Sequence, residues 1–148
     1  MPPLRADQIR RIQTLQRRLI DHDLTKYNLH RAYNLQQKTS CILVPGQVAD
    51  DASVLCGGGP KGDNLSLLKR VRNANPNAFI LFKPHPDVES NLRLGALPKK
   101  TILRFADNCL ENCGAAQALR SCDAVHTGTS LMGFEALLRG ISVTTYGQ

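Results

Sequence analysis

The sequence predicts an α/β fold on a Rossmann-like parallel sheet, and three observations carry that expectation. Short apolar runs alternate with stretches of helical periodicity about three turns long, the pattern of a parallel sheet covered by helices. The runs are near-continuously apolar, as strands buried on both faces must be. Polar residues of unusual chemistry collect directly after those runs, where open parallel sheets bind their ligands.

In chain order, Ile9, Ile12, Leu15, Leu19 and Ile20 recur at helical spacing, so residues 6–22 read as an amphipathic helix. Thr25-Lys26-Tyr27-Asn28 is a polar connector. Cys41-Ile42-Leu43-Val44 is a buried strand stopped by Pro45-Gly46, and a loop follows to the turn-rich Gly57-Gly58-Gly59-Pro60-Lys61-Gly62. Asp63 or Asn64 caps a helix carrying Leu65, Leu67, Leu68 and Val71, which Asn75-Pro76-Asn77 ends. Residues 78–82 form a second strand, 101–105 a third and 124–126 a fourth, with a short helix over 115–121. A helix over 131–139 stops at Gly140, and residues 142–146 are the fifth strand. Only two residues follow it, whereas a doubly wound domain usually closes with a further covering element, so the chain is expected to stop early.

Composition narrows the classes. The 148 residues suffice for one cored domain, and 42% hydrophobic with 21% charged residues is ordinary for a globular protein. No apolar run reaches membrane-spanning length and the start lacks a secretory stretch, so a cytoplasmic protein is expected. The net charge of +7 suits any anion: nucleic acid, an acidic membrane surface, or phosphorylated and carboxylated sugars. Arg5, Arg10, Arg11, Arg17 and Arg18 concentrate that charge on the first helix, as a solvated face or as a contact for an anionic membrane. Nucleic acid is the weakest partner, because the seven aromatics do not interleave with the basic stretch. Five cysteines without a C-x-x-C pair read as free thiols, and no metal ligand set is visible. The absence of G-x-G-x-x-G and of P-loop spacing removes dinucleotide oxidoreductases and P-loop ATPases.

The chemistry sits at the strand ends. The first strand delivers Gln47 and Asp51, the second Lys83 and His85, and the fourth His126, Thr127, Thr129 and Ser130. In Lys83-Pro84-His85-Pro86 the prolines fix φ and remove two donors, giving a stiff loop that holds a cation and an imidazole together for phosphate oxygens. In His126-Thr127-Gly128-Thr129-Ser130, Gly128 allows close backbone approach and the hydroxyls suit an anion, although a single hydroxyl would serve as a helix cap. Glu135 admits two readings: acceptor for the two hydroxyls of a ribose, or a first-turn acid that suits the helix dipole. Asp50 and Asp51 are either solvated loop acids or a catalytic acid with its partner.

These motifs resemble one family. Leu24-Thr25-Lys26-Tyr27-Asn28, the run Leu43 to Ser53, Phe82 to Val88, Val125 to Ser130, Gly133 to Gly140 and Val143 to Gly147 are together similar to the bacterial capsule β-Kdo transferases. That resemblance implies one half of a GT-B glycosyltransferase module, with residues 1–40 as an N-terminal helix and connector. Residues 41–148 would be a nucleotide-sugar-binding domain. It implies a retaining transfer of Kdo from CMP-Kdo to a lipid-linked Kdo acceptor, at the inner face of the cytoplasmic membrane, without metal or other cofactor. Lys83, His85, Pro86, His126, Thr127, Thr129, Ser130 and Glu135 would hold the donor nucleotide, and Asp51 with Gln47 would stand at the reacting centre. A CMP-sialic-acid-type transferase shares the His-Pro logic but not Gln47 to Ser53. A non-catalytic nucleotide- or polyanion-binding domain would account for the charge without Asp51. The family also continues beyond Tyr146-Gly147 and needs an acceptor domain, so the resemblance implies a piece of a longer module.

Overall fold

The computed structural model describes residues 3–28, 40–58 and 62–147. The middle of the glycine-rich turn, residues 59–61, and most of the stretch before the first strand lie outside them. Helix α1 (Ala6–Asp21) precedes a parallel sheet of β1 (Cys41–Pro45), β2 (Phe79–Lys83), β3 (Asn108–Cys109), β4 (Ala124–Thr127) and β5 (Ser142–Thr145). Helices α2 (Ala52–Gly57), α3 (Asn64–Ala74), α4 (Pro86–Glu89), α5 (Lys99–Ile102), α6 (Ala115–Arg120) and α7 (Met132–Leu138) connect them.

The strand order is β3-β2-β1-β4-β5. The chain therefore runs outward from β1 to β3 and then returns to the other side of β1. That reversal leaves a crevice beyond the carboxyl ends of β1 and β4, the place where such sheets bind ligands. Register puts Leu43 between Leu81 and Val125.

Strand pleating divides the core in two. Ile42, Val44, Ile80 and Phe82 face α3 and its Leu67, Leu68 and Val71. Cys41, Leu43, Leu81 and Val125 face the opposite way, toward Leu119 of α6 and Ala136 of α7. Alternate residues of the same strands serve alternate layers, which is why β1 must be apolar at every position. Leu43, Leu68, Ile80 and Leu81 are fully buried, each removal from water stabilising by roughly 1.5–3 kcal/mol.

Local chemistry sets the ends of the elements. Asp63, not Asn64, caps α3, accepting from the Ser66 N–H at 2.9 Å. Gly140 takes φ 72° after α7 and the Ile141 N–H reaches back to the Ala136 carbonyl, a left-handed helix stop. The third strand differs from the sequence expectation. Residues 101–105 are not extended; Lys99–Ile102 is a helical turn, and the strand is the two-residue Asn108–Cys109. Ile102 and Ala106, four apart, enter the core from one side while Leu103 faces solvent, a helical and not an alternating pattern. The five cysteines are free thiols.

Candidate functional site

One cavity of about 300 Å³ occupies the crevice beyond β1 and β4. Gln47 and Asp51 reach it from the segment after β1, Lys83, His85 and Pro86 from the end of β2, and Thr129, Ser130 and Glu135 from the segment after β4 and from α7. Ligand pockets of this size, with apolar walls and a few convergent polar groups, accommodate a small molecule.

The wall after β1 is built first. Asn64 is buried and pairs with the Gln47 backbone in both directions: its Oδ1 accepts from the Gln47 N–H at 2.8 Å and its Nδ2 donates to the Gln47 carbonyl at 2.8 Å. Nδ2 also donates to the Gly95 carbonyl at 3.0 Å. Thus fixed, the Gln47 side chain crosses the crevice. Its Oε1 accepts from the Thr129 N–H at 2.6 Å and from Thr129 Oγ1 at 3.1 Å. A Cβ at Gly128 would lie 2.9 Å from Gln47 Nε2, so glycine is what lets the amide lie against this backbone. Gln47 therefore ties the segments after β1 and β4 together across the strand-order reversal.

Asp51 caps α2. Its Oδ1 accepts from the Ser53 N–H at 2.8 Å and from Ser53 Oγ at 2.6 Å, and the residue lines the cavity. The hydrogen bonds from Ser53 hold its carboxyl below the usual carboxylate range, and the positive charges of Arg93 and Lys26 act the same way. Asp50 points elsewhere and pairs with Arg93 at 3.1 Å.

Lys83 ends β2 and is only 2% exposed. Its Nζ donates to the Pro84 carbonyl at 3.3 Å. Burial pulls its pKa down, while Glu89 and the Cys113 and Cys109 thiols oppose that. His85 caps α4, its Nδ1 accepting from the Asp87 N–H at 3.2 Å, with Pro86 opening the helix. Burial lowers its pKa below 6.5, against the nearby Asp87 carboxylate. A neutral ring whose Nδ1 accepts carries its proton on Nε2. His85 is thus set up as a neutral N–H donor.

Two of the sequence-derived site residues lie off the cavity lining. His126 is buried within β4 and places Nδ1 3.0 Å from Tyr146 Oη. Thr127 folds its hydroxyl back to accept from the Ser130 N–H at 3.2 Å. Both shape the segment that carries Thr129 and Ser130 without lining the cavity. Glu135 is buried, and its Oε1 accepts from the Lys26 N–H at 2.7 Å. That bond draws residues 24–28 onto the cavity, where Lys26 and Tyr27 join its lining. Asn64, Lys26 and Tyr27 were not expected here from the sequence. Their contacts reach 17, 109 and 60 residues along the chain, to Gln47, Glu135 and Asp87 respectively, and no local pattern signals such pairs. Among the described residues no group of three or more His, Cys, Asp or Glu side chains could hold a metal ion. None of their helices is long and apolar enough to cross a membrane.

Comparison with known proteins agrees with this fold. A family model described as "Capsule polysaccharide biosynthesis protein" matches residues 4–148. The capsule polysaccharide modification protein LipA of Neisseria meningitidis serogroup B is 45% identical over 135 residues, 90% of this chain and 19% of LipA. The lipopolysaccharide-processing protein LpsZ of Rhizobium meliloti is 33% identical over 128 residues, 84% of this chain and 29% of LpsZ. The β-Kdo 2,7 transferase of Thermosulfurimonas dismutans KpsC superposes with a TM-score of 0.79 at 34% identity, covering 98% of this chain and 43% of that one. The β-Kdo 2,4 transferase of the same protein gives a TM-score of 0.80 at 23% identity, with 98% of this chain and 46% of that one covered, which shows a shared fold. The chain thus spans about a fifth of LipA and less than half of the transferase structures.

Proposed function

The chain belongs to the capsule polysaccharide biosynthesis family, and from that premise we propose that it is the donor-binding half of a GT-B module that transfers Kdo from CMP-Kdo with retention. The observation that carries this is the convergence of Asp51, Lys83 and His85 from two strand ends on one cavity at the point where the strand order reverses.

Retention asks for two inversions at the anomeric carbon, and a carboxylate can supply the first. Asp51 Oδ2, which neither Ser53 bond uses, attacks the anomeric carbon. The C–O bond to phosphate breaks, its electron pair leaves with CMP, and a glycosyl ester remains on Asp51. The acceptor hydroxyl then attacks the same carbon, displaces the carboxylate and gives up its proton to solvent or a base. The low pKa of Asp51 favours the second step, since a weakly basic carboxylate is the better leaving group. His85 Nε2–H and the Lys83 ammonium meet the charge that develops on the departing phosphate. Thr129 and Ser130 supply hydroxyls to the nucleotide, and Gln47 positions Thr129.

A lipid-linked acceptor would place the module at the inner face of the cytoplasmic membrane. Helix α1 suits that surface: it buries no residue, exposes Ile9, Ile12 and Leu15, and carries Arg10, Arg11, Arg17 and Arg18. Sedimentation with liposomes checks this; binding that does not depend on anionic lipid would remove it. The donor reading itself is tested by calorimetric titration with CMP and UMP. CMP should bind, UMP should bind more weakly, and His85→Ala should lower CMP affinity by about tenfold or more, the range of a lost charge-assisted hydrogen bond. Equal affinity for both nucleotides would instead favour a general nucleotide-binding domain.

A further inference from the structure

Residues 24–28 join α1 to the body of the molecule as a closed turn. The Thr25 N–H donates to Asn28 Oδ1 at 2.9 Å, and Thr25 Oγ1 donates to the Tyr27 carbonyl at 2.8 Å. The turn is held from outside at four points. Arg139 Nη2 donates to the Leu24 carbonyl at 3.2 Å, and the Lys26 N–H donates to Glu135 at 2.7 Å. Tyr27 Oη donates to Asp87 Oδ2 at 3.3 Å, and the Tyr27 ring meets the His85 ring edge-on, centroids 5.3 Å apart at 86°. A surface turn with anchors on α7, on α4 and on His85 is a built wall of the cavity, and it fixes the backbone from which Lys26 projects.

Among the described residues no carboxylate pairs with the lysine at that position. The side chain is exposed, and its Nζ lies 4.9 Å from the Tyr27 ring centroid. The other cations nearby have other work: Lys83 is assigned above to the phosphate, and Arg93 pairs with Asp50. Lys26 lines the same cavity as Asp51 and His85 and acts electrostatically on both.

The chemistry of a sugar acid explains what such a cation would do. In a CMP-activated 2-keto sugar acid the carboxylate is bonded to the very carbon that is attacked. An anionic Asp51 approaching that carbon meets a like charge one bond away, and Coulomb repulsion opposes the reaction unless a cation lies alongside. A flexible ammonium on a fixed backbone can stay with the carboxylate as the carbon moves toward Asp51. Resting on the donor reading above, we infer that Lys26 binds the carboxylate of the donor sugar and sets the preference for acidic sugars. Tyr27 is the aromatic platform beside the ammonium. Glu135 is a positioning residue, acting through the Lys26 backbone.

The test separates carboxylate from phosphate recognition. Wild-type chain, Lys26→Gln and Lys26→Arg are titrated calorimetrically with CMP and with freshly prepared CMP-Kdo. Lys26→Gln should weaken CMP-Kdo by about tenfold and CMP by less than about twofold, while Lys26→Arg stays within about threefold of wild type for both, as a screened single charge contact predicts. Equal weakening of both ligands would overturn the inference by making Lys26 a phosphate ligand. No change in either would overturn it by making Lys26 a solvated side chain. Wild-type chain that binds neither ligand would remove the donor reading, and this inference with it.

Discussion

Two histidines in this chain each rest against a tyrosine, and they do opposite things. His85 meets the Tyr27 ring edge-on, gives Nδ1 to a backbone N–H, and lines the cavity. His126 lies against Tyr146 with centroids 5.7 Å apart, shares a hydrogen bond between Nδ1 and the tyrosine hydroxyl, and does not line the cavity. The difference is one of register. His85 follows the last residue of β2 by two positions, where the chain has left the ladder and prolines aim it at the crevice. His126 is inside β4, paired with Thr144 of β5, so the pleat commits its side chain to one face. On that face Tyr146 packs against the core that holds Ile42 and Val44, with Arg70 4.8 Å over its ring. The same residue type lines the cavity beyond a strand and packs against a neighbour within one.

The contrast can be broken by removing what supports both segments. Asn64→Ala would leave the backbone of Gln47 and the Gly95 carbonyl without their buried partners and free Gln47 from Thr129. A loss of about 3 kcal/mol in denaturant unfolding, together with loss of CMP binding, is expected. The contrast is sharpened by substituting one histidine at a time. His85→Ala, on a partly exposed side chain, should change unfolding stability by less than about 1 kcal/mol while lowering CMP affinity about tenfold. His126→Ala should do the reverse, costing about 1.5 kcal/mol of stability with CMP affinity within about twofold. The smallest effect is the pH dependence. Burial holds the folded His126 below its usual 6.5, so the unfolded chain takes up the proton first as pH falls. Stability should then decline as pH drops through about 6.5 toward the folded value, and His126→Gln should lessen that decline, leaving the part contributed by His85, whose pKa burial also lowers.

The fold was largely legible because burial on both faces leaves an unmistakable mark. Ile42-Leu43-Val44 and Ile80-Leu81-Phe82 are apolar at successive positions, and the helices between them keep helical spacing. The third strand was hidden, since a two-residue edge strand of Asn108 and Cys109 has no room for a pattern, while Thr101 to Phe105 imitates one. The short helices α2 and α4 read as loop because four to six residues hold too little periodicity, although Asp51 and His85 are their caps. At the site, residues just past strand ends could be named in advance from the topology of parallel sheets. What could not be named were the partners: Gln47 reaching Thr129, Asn64 holding Gln47, and Glu135 drawing in Lys26 and Tyr27. Those depend on which distant segments the sheet order brings together.

The proposal of a donor site at the β1–β4 crevice is tested most directly by titrating isotopically labelled chain with CMP and following its backbone amide resonances. The account predicts shifts centred on Gly46 to Ser53, His85 to Asp87, and Thr129 with Ser130, with Ser142 to Thr144 of β5 and the first turns of α1 unchanged. Shifts centred on α1 or β5, or none in a folded chain at saturating CMP, would contradict it.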